Sequence, residues 1–379
     1  MIWPRVIGQE RVKRILLSGI KTARLAHAYL FYGNNGVGKD AMALEFARVL
    51  HCERGAEEAC GQCISCVRMN ALEHPDVKLV VALPVGKGEK SDDGPLVKLG
   101  EAEVRTIQEQ LRLKGENPYH RVSIPKANII KINSIREIRR ESSMSTFGKG
   151  RRVCIISHAD EMGEEASNTI LKTLEEPSGS TMLILTTSHR ENLLPTIVSR
   201  CQGVRFDSLT EEQIKAALIE RDGVEMQQAG LVARIANGSY TRALDLLEED
   251  ILSQRQEVVT FIRLLLGSNV VTLTEDIERL AAPRDREAIL KFLSLMLIWF
   301  RDAMVLVQGG KVINIDQKDD LQRFVAKFPD ANLVQAVNDV ERTISLVERN
   351  VYIMLALLQL AIKLRANILT PVEVVFGDR

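Results

Sequence analysis

The stretch Gly33-Asn34-Asn35-Gly36-Val37-Gly38-Lys39-Asp40 stands between an apolar run, Ala28 to Tyr32, and a helical pattern, Lys39 to Leu50. A glycine, four residues, then glycine and lysine, placed between strand and helix, is the spacing of a phosphate-binding loop. Gly33, Gly36 and Gly38 let backbone amides curl around an anion, and the helix N-terminus adds a favourable field there. This feature commits the first half of the chain to strands that feed helices. Further apolar runs at Val77 to Leu83, Asn128 to Ile132, Val153 to Ser157 and Met182 to Thr187 read as buried strands. They alternate with helical patterns at Gln9 to Leu25 and Glu164 to Glu175, which predicts a parallel sheet covered on both faces.

Beyond residue 207 the strand signals fade. Thr210 followed by Glu211 and Glu212 opens a helix with an N-cap and two acids in its first turn. Leu209 to Glu248, with turns at Asp222-Gly223 and Asn237-Gly238, suits a small helical domain, and the rest of the chain is helical in pattern. The expected division is therefore 1–207, 208–250 and 251–379. Pro84 to Pro125 interrupts the first part and reads as a partly mobile insertion carrying one short helix near Glu101 to Leu113.

Lysine plus arginine and aspartate plus glutamate both total 50, so the formal charge is zero. That balance argues against a chain that grips nucleic acid unaided. The most basic stretch, Arg136, Arg139, Arg140, Lys149, Arg151 and Arg152, reads first as a solvated helix face and second as a DNA contact. Met1 to Arg5 shows no charged-then-apolar run. The most apolar stretches, Phe292 to Phe300 and Val351 to Leu364, fall short of the roughly 20 residues of a membrane span. A soluble, cytoplasmic protein without membrane contact is expected.

Four of the six cysteines, Cys52, Cys60, Cys63 and Cys66, form C-x7-C-x2-C-x2-C. Thiolates at this spacing suit one tetrahedral Zn2+, a closed structural site with no open position for chemistry; free thiols are the alternative.

Asp40 follows the loop lysine, where a serine or threonine hydroxyl usually meets magnesium. A carboxylate about 4 Å from a triphosphate costs several kcal/mol at an effective dielectric of about 20. The sequence therefore leaves ATP binding open.

Ile7-Gly8-Gln9-Glu10, Ala26-His27-Ala28-Tyr29-Leu30-Phe31, Lys172-Thr173-Leu174-Glu175-Glu176-Pro177 and Ser199-Arg200-Cys201 together resemble bacterial clamp-loader subunits of the AAA+ class. The resemblance is dense over residues 6–83 and 129–245. It is diffuse beyond, where Trp299-Phe300-Arg301-Asp302 looks like a helix of that family's collar domain. It implies an α/β P-loop domain with a five-stranded parallel sheet and a zinc module, then a helical lid and an all-α collar.

Two kinds of family member compete, the ATP-hydrolysing gamma/tau motor and the delta-prime subunit. The family's Asp-Glu pair, which supports magnesium and polarises water, falls at Ser157 and His158 by spacing from Lys172. Asp160 and Glu161 come later and read as the start of the next helix. The motor's arginine in the lid maps to Thr241; Arg242 is one residue on, about 100° around the helix. The polar residue that senses phosphate maps near Thr187 or Ser188. These departures imply a delta-prime-like stator with no ATPase activity of its own. It would join gamma/tau and delta subunits of the DNA polymerase III holoenzyme to place a sliding clamp on primed DNA. Arg200 would be its contribution to catalysis, an arginine finger reaching a neighbour's ATP; an ordinary ion pair is the other reading. A divergent active motor and a zinc-dependent nucleic-acid binder remain the rivals.

Overall fold

A computed structural model describes residues 3–55, 57–142, 151–176, 181–248, 251–282, 285–310, 312, 317–348 and 351–369. The chain divides into two compact units, Met1–Leu244 and Asp245–Arg379.

The first unit is built on five parallel strands in the order β2-β3-β4-β1-β5. Helix α1 (Glu10–Lys21) precedes β1 (Ala28–Tyr32), and the phosphate loop leads from β1 into α2 (Lys39–His51). The cysteine segment and α3 (Ile64–Asn70) follow, then β2 (Val77–Val80), α4 (Glu101–Glu116) and α5 (Ile132–Ser142). After β3 (Arg152–Ile156) come α6 (Glu164–Glu175), β4 (Thr181–Thr187), α7 (Pro195–Arg200) and β5 (Gln202–Arg205). Every residue of β3 and β4 is buried, as central strands covered on both faces require. One sheet face packs Leu30, Cys154, Ile156, Leu183 and Leu185 against Ile135 and Ile138 of α5 and Ile170 and Leu174 of α6. This is the expected α/β P-loop architecture with a five-stranded parallel sheet.

Two strand assignments differ from the sequence reading. Asn128 to Ile132 is not a strand: only Ile130 bridges, to Met162, and α5 begins at Ile132. The cause lies beside it. Lys131 turns inward to the carbonyls of Pro84 (3.0 Å) and Pro95 (2.9 Å) and to Glu89 (2.7 Å), which anchors the base of the insertion. The fifth strand is instead β5, a short edge strand paired with β1. It is exposed at Gln202, Gly203 and Arg205 and so lacks an apolar signature.

Helices α8 (Glu211–Asp222), α9 (Met226–Ile235) and α10 (Tyr240–Glu248) follow. Thr210 caps α8 with a full capping box to Gln213. The two turns lie where read: Gly223 (φ 66°) ends α8, and Asn237 (φ 48°) with Gly238 (φ 81°) precedes α10.

Among its described residues the second unit is all helix: α11 (Ile251–Leu266), α12 (Val270–Ala281), α13 (Arg286–Val307), α14 (Lys318–Lys327), α15 (Leu333–Glu348) and α16 (Ile353–Leu369). Trp299 and Phe300 of α13 pack on Phe324 of α14, with Trp299 and Phe324 centroids 4.9 Å apart. Asp339 on α15 accepts from Lys363 (3.2 Å) and Asn367 (2.9 Å) of α16. Helix α16 buries Leu357, Leu360 and Leu364, yet Leu355 and Ile362 are 61% and 70% exposed. No described helix is long and apolar enough to cross a membrane.

Candidate functional site

The phosphate loop takes the shape its glycines allow. Gly33, Gly36 and Gly38 have φ of 151°, 72° and 98°, a region that side chains disfavour. Lys39 is buried and turns back on the loop. Its ammonium donates to the carbonyls of Gly33 (2.9 Å) and Asn34 (2.7 Å) and to Ser188 Oγ (3.0 Å). An ammonium has three protons, and three acceptors take them. Burial lowers its pKa to about 8, against the pull of Asp40 and Asp160.

Asp40 is satisfied as fully. Its Oδ2 accepts from Ser157 (2.7 Å), and its Oδ1 accepts from Thr186 (2.6 Å). The ammonium of Lys114 lies 3.1 Å from Oδ2. Burial alone raises the Asp40 pKa, but Lys114, His158 and the two hydroxyls outweigh it and hold the carboxyl well below the usual carboxylate range.

The positions mapped by spacing lie around this pair. Ser157 faces Asp40, and His158 lines the cavity over the loop in a left-handed conformation (φ 52°). Ser188 meets Lys39, whereas Thr187 donates to Asp160 Oδ1 (2.6 Å). Asp160 and Glu161 belong to a short 3-10 turn, Ala159–Glu161, and not to the start of the next helix: the first-turn acids of α6 are Glu164 and Glu165. Thr241 lines the cavity beside Gly36, and Arg242 is exposed.

The cysteines converge. The Sγ atoms of Cys52, Cys60, Cys63 and Cys66 all lie within 4.8 Å of one another. Four sulfurs each about 2.3 Å from one zinc would sit about 3.8 Å apart, so the cluster needs little contraction to hold an ion. Backbone N–H groups already point at the sulfurs, from Cys60 to Cys52 (3.2 Å), Cys63 to Cys60 (3.3 Å) and Cys66 to Cys63 (3.4 Å). Such donors stabilise thiolates and orient them. The rings of His51 and His74 meet at a tilt of 47°, centroids 4.5 Å apart, outside the thiol group. The four cysteines could thus hold a metal ion.

Arg200, at the end of α7, is partly exposed. It pairs with Glu175 at the end of α6 (2.8 Å) and donates to the Thr196 carbonyl (3.0 Å). In the basic stretch, Arg136 is tied to Asp92 of the insertion (2.6 Å) and Arg152 to buried Asp76 (3.8 Å). Lys149, and Pro177 of the Lys172 motif, lie outside the described residues.

Residues 8–210, more than half of the chain, match the family described as DNA polymerase III, delta subunit. The chain belongs to that family. It is 32% identical over 258 residues to the DNA polymerase III subunit delta' of Bacillus subtilis, covering 68% of this chain and 65% of that one. It is 29% identical to the delta' subunit of Pseudomonas aeruginosa, covering 65% and 64%. The tau/gamma subunit of Haemophilus influenzae is 29% identical, covering 69% of this chain and 33% of its own length. The chain thus spans about two thirds of the delta' relatives and a third of the tau/gamma relative.

The delta-family match contains the phosphate loop, the cysteine cluster and Arg200, and it also contains two site residues that sequence reading missed. Lys114 and Tyr119 come from the insertion. Their approach to the loop is a long-range contact, and no local spacing encodes it.

Proposed function

We propose that this chain is a delta-prime subunit of a bacterial DNA polymerase III clamp loader, a stator that does not hydrolyse ATP. It assembles with gamma/tau and delta subunits in the cytoplasm and helps to open the sliding clamp and place it on primed DNA. The observation that carries the reading is the state of the loop. Where magnesium chemistry needs a hydroxyl and an acid pair, Asp40 is neutralised by Lys114, and Ser157 and His158 stand at the acid positions. Family membership and the delta' relatives support the assembly.

In this reading Arg200 is the chain's part in catalysis. Its guanidinium reaches a neighbour's ATP and neutralises charge as the γ-phosphoryl group leaves. The exposed partner Glu175 holds it weakly, since such surface pairs are worth about 0–1 kcal/mol. Cys52, Cys60, Cys63 and Cys66 hold structural Zn2+, which fixes the turn before α3. Residues 208–250 act as the lid and residues 251–379 as the collar, where exposed Leu355 and Ile362 of α16 meet partner subunits. Reconstitution with gamma/tau, delta, clamp and primed DNA tests the proposal. Loading should require this chain, and the chain alone should show only background ATP turnover.

A further inference from the structure

The insertion returns to the phosphate loop, and its contacts there are built rather than incidental. Helix α4 carries Lys114 in its last turn, its ammonium buried, 3.1 Å from Asp40 Oδ2 and 2.9 Å from the His120 carbonyl. Three residues beyond the helix, buried Tyr119 lies over the last glycine of the loop: a Cβ added to Gly38 would meet its hydroxyl at 2.7 Å.

Neighbours lock this turn in place. Tyr119 Oη accepts from the Ile7 N–H (2.9 Å), and its ring meets Tyr240 edge-on with centroids 4.9 Å apart. Arg5 donates to the Glu116 carbonyl (3.0 Å), and Arg221 donates to the Pro4 carbonyl (2.6 Å) with its guanidinium 5.8 Å from the Tyr119 ring. Tyr240 also meets the loop, its N–H donating to the Gly36 carbonyl (3.0 Å). The cavity left directly over the loop, lined by Lys39, Lys114, Tyr119, His120 and Arg121 among others, is about 40 Å³; an adjoining one of about 370 Å³ is lined by Asp40, Lys114, Arg121, Ser157 and His158 and by none of the loop glycines.

We propose that residues 101–121 are an internal plug of the phosphate loop. Lys114 takes the place of the metal cation against Asp40, Tyr119 covers the floor that phosphate would occupy, and Mg2+-nucleoside triphosphate is excluded by the chain itself. The proposal rests on the non-hydrolysing reading and gives it a physical agent. Lys39 fits the same account, since its ammonium is held by its own loop carbonyls and by Ser188.

A fluorescent ATP analogue with magnesium, titrated into full-length protein, tests the plug in a background that repairs the metal position. Asp40→Thr restores the hydroxyl and keeps Tyr119; Asp40→Thr/Tyr119→Ala also vacates the floor. The double variant should bind at least about tenfold more tightly than the single one. Equal affinities in two folded variants overturn the plug, as does wild-type protein that already binds as tightly as the double. Tyr119→Leu in the same background repeats the comparison if the alanine variant does not fold. ATP turnover by the wild-type chain is measured separately. It would remove the non-hydrolysing reading together with the plug, whereas equal variant affinities or tight wild-type binding without turnover remove the plug alone.

Discussion

Lys114 and Asp40 form an ion pair at 3.1 Å with side chains 6% and 15% exposed, and the pair joins an insertion helix to the first turn after a phosphate loop. A carboxylate that would repel a triphosphate is here the acceptor of an internal cation. The residue that weakens the nucleotide site by charge is therefore also the one that anchors the segment filling it.

Removing one partner leaves the other charge with little solvent. Lys114→Met should cost about 3 kcal/mol in urea unfolding, and Asp40→Thr/Lys114→Met should recover more than half of that loss. Strictly additive losses would show that the two side chains are not coupled.

The pair also sets an acid dependence. The folded pKa of Asp40 lies below its ordinary 3.8, so its contribution is complete above that value and is lost as pH falls through the folded one. The stability gap between wild type and Asp40→Asn should be constant from about pH 7 to 5 and narrow below about pH 4. Unfolding titrations across that range check it, and a gap that widens on acidification would contradict the assignment.

For the cysteine cluster, protein purified without chelator should carry about one equivalent of zinc by elemental analysis. Cys66→Ser should lose the metal and at least about 2 kcal/mol of stability. Metal-free wild-type protein with unchanged stability would mean that the thiols stand alone.

How far the sequence was legible follows from the range of each interaction. The loop, the cysteine spacing and the Thr210 N-cap are local devices, and each lies where the sequence places it. Gln202 to Arg205 carries three exposed residues of four and belongs to the sheet only because β1 leaves an edge free for it. Asn128 to Ile132 has the apolar pattern of a strand in its isoleucines, but the buried bond of Lys131 to Glu89 fixes the chain there. Spacing from Lys172 singles out Ser157 and His158, and Ser157 meets Asp40 while His158 lines the cavity. Lys114 and Tyr119 were unreadable, since their partners are set by tertiary packing.

The Arg200–Glu175 pair is exposed enough that losing it should matter little to the fold. Glu175→Gln should change stability by less than about 1 kcal/mol and leave ATP hydrolysis by the reconstituted loader within about twofold. A loss as large as that of Arg200→Ala would assign Arg200 to holding α6 and α7 together.

ATP hydrolysis by the assembled gamma/tau, delta and delta-prime complex on primed DNA, with either Lys39→Ala or Arg200→Ala in this chain, compares its two candidate roles directly. The account predicts wild-type turnover for Lys39→Ala and a fall of at least about tenfold for Arg200→Ala, as loss of a finger at a neighbouring site requires. A fall with Lys39→Ala and none with Arg200→Ala would contradict it.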